Sequence, residues 1–237
     1  MTARYAIYFA PAEDSPWWRF GCDWLGYDAR RARDVPQPAI RGVSREAFAA
    51  LTEAPRRYGF HATLKAPMRL AADADAGAFT AGLARFAAAR ARFELPRLRV
   101  VRMGGFLACV MPSRDPALHA LADDCVREFD AFRAPPTGPE LARRHAAGLD
   151  ADQSALLARW GYPHVFERFR FHMTLTGMLA GVPDATVRDV TAAATAAVDA
   201  LADAPLVCDA ICLFVQRAPD ARFVLMDRFV FGAQPGR

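Results

Sequence analysis

Three kinds of feature are missing from this sequence, and each absence excludes a class of protein. The five cysteines include no Cys-x-x-Cys pair, which argues against a disulfide framework and predicts buried free thiols. No apolar run approaches the roughly 18 residues that span a bilayer, and the first apolar run is too short for a signal peptide. No set of His, Cys, Asp or Glu has the spacing of metal ligands, so we expect no metal and no other cofactor. The sequence therefore predicts a cytoplasmic protein that does not associate with a membrane.

Lysine is almost absent as well. Of the 30 basic residues only Lys65 is a lysine, and the formal net charge is +4. This positive balance suits a small anionic substrate, whereas no block of basic residues could form the track that a long nucleic acid needs. No exposed heptad or other repeat indicates an oligomeric state. A small anionic molecule is the partner that the composition favours.

The chain is long and apolar enough for a substantial core, with 237 residues of which 53% are hydrophobic. Alternating apolar residues predict strands at 4–10, 57–66, 93–102, 105–111, 166–176, 206–216 and 222–231. Helical periodicity and capping residues predict helices in the aromatic segment 17–27 and at 44–53, 74–92, 116–133, 139–146, 151–160 and 184–203. Pro55 is expected to end the second of these helices. The order predicts an α+β fold with largely antiparallel sheets and helices outside.

The clearest linker is the stretch 134–139, Ala-Pro-Pro-Thr-Gly-Pro. On each side of it the order of one particular strand, a helix and two further strands recurs. This recurrence predicts an internal duplication. We expect one bilobal domain over 1–237, with halves at 1–134 and 140–237.

The two recurring strands carry one short motif. Residues 60–64 read Phe-His-Ala-Thr-Leu and residues 171–175 read Phe-His-Met-Thr-Leu, about half the chain apart. Because alternate residues of a strand point to the same face, each copy projects a histidine and a threonine together, with apolar side chains behind. A solvent-facing strand would also have one polar face, and threonine is common in strands. Two histidines in matching contexts nevertheless favour a functional site.

Two imidazoles on opposite sides of a phosphodiester can catalyse in-line displacement without a metal. One removes a proton from the attacking oxygen and the other protonates the leaving oxygen, because histidine titrates near neutral pH. Threonine hydroxyls and nearby cations can stabilise the phosphate oxygens. The predicted catalytic residues are His61, Thr63, His172 and Thr174. The predicted substrate-binding residues are Lys65, Arg170, Thr176 and Tyr8.

These motifs resemble the 2H phosphoesterase superfamily, which has two His-x-Thr/Ser motifs on pseudo-symmetric halves. The wider segments 57–67 and 160–177, with the opening 4–9, resemble a bacterial subgroup associated with phosphonate utilisation and labelled a domain of unknown function. The resemblance covers nearly the whole chain. It implies a bilobal fold with two largely antiparallel sheets around a central cleft. It also implies a metal-independent enzyme acting on a small phosphorylated substrate.

The resemblance makes a cyclic phosphodiesterase the expected activity: a hydrolase that opens a cyclic phosphate or cleaves a small phosphodiester. For the subgroup, the substrate would be a phosphorylated sugar intermediate of phosphonate metabolism. Two alternatives remain open. One is an RNA 2′,3′-cyclic phosphodiesterase or end-processing enzyme, against which the lack of a basic stripe argues. The other is a non-catalytic binder of phosphorylated ligands. His164, which follows Pro163, is interpreted as structural, although it could also lie at the cleft entrance.

Overall fold

In the computed structural model, which describes residues 3–146 and 148–232, most helices begin at a recognisable capping side chain. A Ser, Thr or Asp accepts a hydrogen bond from the backbone N–H three residues later at every α-helix except the last. The α-helices are α1 (Pro16–Leu25), α2 (Arg45–Arg56), α3 (Ala76–Ala88), α4 (Pro116–Glu128), α5 (Gly138–His145), α6 (Ala151–Trp160) and α7 (Asp184–Asp199). Over the described ranges, none of them is both long enough and apolar enough to cross a membrane.

The prediction that Pro55 ends its helix is wrong, because α2 continues to Arg56 with Pro55 inside it. Proline has no backbone N–H, so it leaves the carbonyl four residues earlier, that of Leu51, without its helical donor. The backbone N–H of Gly177 donates to that carbonyl instead, at 2.6 Å. The proline therefore helps to join α2 to the segment that follows the second histidine motif.

All paired strands over the described ranges are antiparallel. They are β1 (Arg4–Phe9), β2 (Tyr27–Asp28), β3 (Arg33–Asp34), β4 (Ala62–Met68), β5 (Phe93–Glu94), β6 (Arg99–Met103), β7 (Phe106–Val110), β8 (Met173–Thr174), β9 (Val207–Cys208), β10 (Ala210–Gln216) and β11 (Val224–Val230). The larger sheets have the orders β11-β10-β1-β4 and β6-β7-β8, and β2-β3 and β5-β9 form two ribbons. The prediction of helices combined with antiparallel sheets is confirmed, whereas the pseudo-two-fold bilobal arrangement stays a prediction.

The two histidine strands are shorter than predicted. The predicted strand 57–66 begins only at Ala62, because residues 58 and 59 make turn hydrogen bonds to carbonyls at the end of α2. The predicted strand 166–176 is reduced to Met173–Thr174, because residues 166–168 form a 3₁₀ turn. Each histidine thus lies immediately before its strand, in backbone that no sheet neighbour holds by ladder hydrogen bonds.

Both larger sheets contain strands from both sides of the predicted linker 134–139. β1 and β4 precede the linker and pair in one sheet with β10 and β11, which follow it. In the other sheet β8 follows the linker and pairs with β7, which precedes it. The division into halves 1–134 and 140–237 stays a prediction, and its residues 1–2, 147 and 233–237 lie outside the described residues.

Alternation in β1 divides the core between the two faces of its sheet. Ile7 and Phe9 belong to a large cluster that includes α3, α4 and α7, whereas Ala6 and Tyr8 pack with Trp18 in a smaller one. All five cysteines are buried and free, as predicted. The side of the large sheet on which Tyr8 lies is the side on which the first histidine is found.

Candidate active site

The strand alternation predicted for the two motifs is confirmed by the burial of their side chains. The apolar members are buried: Phe60, Ala62 and Leu64 in the first copy, and Phe171, Met173 and Leu175 in the second. The four predicted catalytic residues, His61, Thr63, His172 and Thr174, are each partly exposed. The apolar face therefore anchors each motif in the core and leaves its imidazole and hydroxyl accessible.

Both imidazoles are held in the same way. The Nδ1 of His61 lies 2.9 Å from the carbonyl oxygen of Gly59, and the Nδ1 of His172 lies 2.8 Å from that of Arg170. A carbonyl only accepts, so each Nδ1 must carry the proton and donate it. Each neutral ring is therefore fixed in one tautomer, with Nε2 left as the basic nitrogen.

The imidazole of His61 is contacted by Tyr8 of the neighbouring strand β1 and by Thr63 of its own motif. The ring of Tyr8 in β1 stacks on the imidazole with 3.8 Å between ring centroids. The hydroxyl of Thr63 lies 3.4 Å from the Nε2 of His61, to which it can donate. Tyr8 is fully buried, so it supports the imidazole from behind while Thr63 faces the cleft.

Burial keeps both imidazoles neutral near pH 7. It lowers the pKa of His61 to about 4, and a charge on His172 would lower that pKa further. Burial also lowers the pKa of His172, against the opposing effect of its hydrogen bond to the Arg170 carbonyl. A positive charge on one imidazole disfavours a positive charge on the other, so we expect at most one of the two rings to be charged at a time. An anion between them would favour the charged form and raise these pKa values.

A cleft of about 580 Å³ opens in front of the second motif. Thr63 from the first motif and Arg170 and His172 from the second line it, and Gly104 in the β6–β7 turn forms part of its wall. His164 also lines the cleft, with its ring edge-to-face against Tyr162 at 5.4 Å. The sequence interpretation of His164 as structural therefore did not anticipate a place in the cleft wall, which was only the other option. Within the described residues, no group of three or more His, Cys, Asp or Glu is arranged to hold a metal.

Two of the predicted substrate-binding residues make their hydrogen bonds inside the fold. The Lys65 ammonium group is buried and donates to the Val126 carbonyl at 3.1 Å and to Asp130 at 3.3 Å. The Thr176 hydroxyl accepts from the Leu107 N–H and donates to the Gly177 carbonyl, each at 2.9 Å. Of the four predicted binding residues, Arg170 is the one that lines the cleft. Substrate contact by all four stays a prediction.

Comparison with known proteins gives both a family and two named relatives. Residues 63–224 match a family model described as "Protein of unknown function (DUF1045)". A protein of Janthinobacterium sp. (strain Marseille), named ribose 1,5-bisphosphate phosphokinase PhnN, is 43% identical over 99% of this chain and 52% of its own length. A protein of the same name from Laribacter hongkongensis (strain HLHK9) is 40% identical over 74% of this chain and 40% of its own length. The chain spans about half the length, or less, of the curated relatives it matches.

These relatives correct the activity expected from the sequence. The expectation was a phosphodiesterase, a hydrolase, with an RNA-processing enzyme or a non-catalytic binder as alternatives. Both relatives are named phosphokinases, and a kinase is a transferase, so the hydrolase assignment is contradicted. The association with phosphonate metabolism and a small phosphorylated substrate is compatible with their names. The family model covers well over half of the sequence, so the chain belongs to the family described as protein of unknown function DUF1045.

Proposed function

We propose that the cleft between the two motifs binds the phosphate of a phosphorylated ribose, and that His61 and His172 move protons during phosphoryl transfer on that molecule. The observation that carries the proposal is that the two imidazoles have the same hydrogen-bond arrangement. Each donates from Nδ1 to the carbonyl two residues earlier, which leaves Nε2 as the basic nitrogen of each ring, and the Thr63 hydroxyl lies 3.4 Å from that of His61. The ribose follows from the relatives, which are named for ribose 1,5-bisphosphate.

The chemistry requires a base and an acid at once. As a hydroxyl oxygen of the sugar bonds to the phosphorus of the phosphoryl donor, it passes its proton to one neutral Nε2. As the bond to the leaving oxygen breaks, that oxygen takes a proton from the other imidazole, which must enter the step charged. Without a ligand both imidazoles are neutral near pH 7. Binding of the anionic phosphate stabilises a positive charge beside it, so one imidazole can take up a second proton and become charged.

In this account the chain binds the sugar phosphate, and it has no P-loop for a nucleotide. A nucleotide-binding P-loop needs a lysine directly after a glycine, and the sole lysine of the chain, Lys65, follows Leu64. That lysine is also buried beside Asp130. The paired His-x-Thr motifs support kinship with the 2H phosphoesterase superfamily, independently of the hydrolase activity in its name.

Calorimetric titration of the chain with ribose 5-phosphate and ribose 1,5-bisphosphate tests the proposal. We expect binding to be coupled to uptake of up to about one proton, because the phosphate raises a histidine pKa from below neutrality. The measured enthalpy should therefore depend on the ionisation enthalpy of the buffer. The affinity should fall as the pH rises from 6.5 to 8, by at most about tenfold per pH unit. Unphosphorylated ribose serves as the control. Absence of binding by both sugar phosphates would refute the proposal.

A further inference from the structure

A second cavity, of about 460 Å³, adjoins the cleft. Met103, Phe169 and Arg170 line both, so the two spaces share the backbone just before the second motif. The other walls of this side cavity come from the end of β7, the loop 111–114 and the first turn of α4. A ligand seated beside His172 therefore has a neighbouring space within reach of its far end.

The side cavity has a positive charge balance. Arg114 and Arg170 line it; neither guanidinium makes a hydrogen bond or ion pair within the described ranges, although burial raises the pKa of the nearby Asp123 carboxyl and the Arg114 charge opposes that larger effect. Glu167 is the carboxylate in the lining, and Ser113 adds a hydroxyl beside Arg114. Two guanidiniums with a hydroxyl form a donor set suited to a phosphate, since guanidinium groups bind phosphate oxygens in a bidentate manner.

His119 in the wall of the side cavity carries an unused polar atom. Its side chain is 7% exposed, and the ring of Phe169 packs edge-to-face against it at 4.9 Å. Its Nδ1 is buried and has no hydrogen-bond partner among the described residues. A buried polar atom without a partner is destabilising, because it has lost its hydrogen bonds to water. A ligand oxygen in the side cavity would supply the missing partner.

We propose that the side cavity binds a second phosphate of the ligand whose first phosphate occupies the cleft. Arg114, Arg170, Ser113 and His119 would bind it, and Arg170 would lie between the two phosphates. This inference rests on the proposed function and narrows it to sugar bisphosphates. Glu167 opposes an anion at the exposed edge of the cavity, so we place the phosphate on the side of Arg114 and His119.

The dissociation constant of ribose 5-phosphate divided by that of ribose 1,5-bisphosphate gives a ratio that tests this assignment. Wild-type protein is titrated with ribose 5-phosphate, ribose 1,5-bisphosphate and inorganic phosphate, and the series is repeated with Arg114→Gln. Arg114 is exposed, so its replacement is compatible with folding. We expect the wild type to prefer the bisphosphate, and Arg114→Gln to weaken bisphosphate binding by about 10- to 100-fold, the effect of losing a charged hydrogen bond. Arg188→Gln, at an exposed position of α7, is the matched control and should change neither constant.

The possible outcomes separate this inference from the proposal on which it rests. If ribose 5-phosphate binds but the bisphosphate gains no affinity over it, the second phosphate site is refuted and the proposed function stands. The same holds if Arg114→Gln leaves the ratio of the constants at its wild-type value. If neither sugar phosphate binds the wild type, the proposed function itself fails, and the inference fails with it. A ratio that falls toward one in Arg114→Gln but not in Arg188→Gln supports the assignment.

Discussion

His61→Asn and His172→Asn should each lower the rate of phosphoryl transfer involving ribose 1,5-bisphosphate by about 10²- to 10⁴-fold, the usual contribution of a general acid or base. Asparagine can keep the hydrogen bond that each imidazole donates to the carbonyl two residues earlier, so the local backbone should be preserved. It cannot take up or release a proton near neutral pH. The rate is measured by ³¹P NMR with ATP as the phosphoryl donor, which has to bind at a site other than a P-loop because the sequence contains none.

The histidine variants need a control that removes an imidazole elsewhere. His145 is exposed at the end of α5, so His145→Asn should retain the wild-type rate. Because the two site histidines act in one step, the double variant should be little slower than the slower single variant. Full transfer activity in either single variant would show that its imidazole is not required. A fall shared equally by His145→Asn would point to a general effect on the protein.

Asp130→Ala should have the largest effect on stability, a loss of about 3–5 kcal/mol in the free energy of unfolding. The side chains of Lys65 and Asp130 are 5% and 14% exposed, and the substitution leaves the buried ammonium with the Val126 carbonyl alone. Burial already lowers the pKa of Lys65 to about 8, against the effect of Asp130, so the aspartate favours the charged form. Urea unfolding followed by circular dichroism measures the difference.

A more exposed ion pair in the same region provides the comparison. Asp124 pairs with Arg90 at 2.8 Å, and its side chain is 46% exposed, so Asp124→Ala should cost less than about 1 kcal/mol. Lys65→Met should be milder than Asp130→Ala, because Asp130 keeps its hydrogen bonds to Arg133. If Lys65→Met instead left stability unchanged and abolished binding of sugar phosphates, Lys65 would be a ligand contact and its structural role would be refuted.

The sequence was informative wherever the structure depends on local patterns. Capping residues such as Ser44 and Asp115 located the helix starts, because a cap acts on the N–H groups of the next turn. Alternation within each motif predicted which side chains would be buried, because strand geometry separates neighbours onto opposite faces. The candidate site follows from the same alternation, since it placed an imidazole and a hydroxyl together in both copies.

What the sequence did not reveal depends on contacts between distant residues. Lys65 shares a predicted face with His61 and Thr63, yet Asp130, 65 positions later, draws its ammonium group into the interior. Pro55 remains within a helix because Gly177 supplies a hydrogen bond from a distant segment. The side cavity likewise combines Arg114 with Arg170, which lie in connecting segments far apart in the sequence. The reaction class was also beyond the motifs, because paired imidazoles suit any transfer of a phosphoryl group.

The protonation states of His61 and His172, followed by ¹⁵N–¹H NMR as ribose 1,5-bisphosphate is added at pH 7, test the central claim most directly. Signals are assigned by comparison with the His61→Asn and His172→Asn variants. In the free protein both rings should be neutral with the proton on Nδ1. At saturation, one of the two should shift toward the imidazolium form while His145 stays unchanged. Site histidines that keep their free-state signals at saturating ligand would contradict the account.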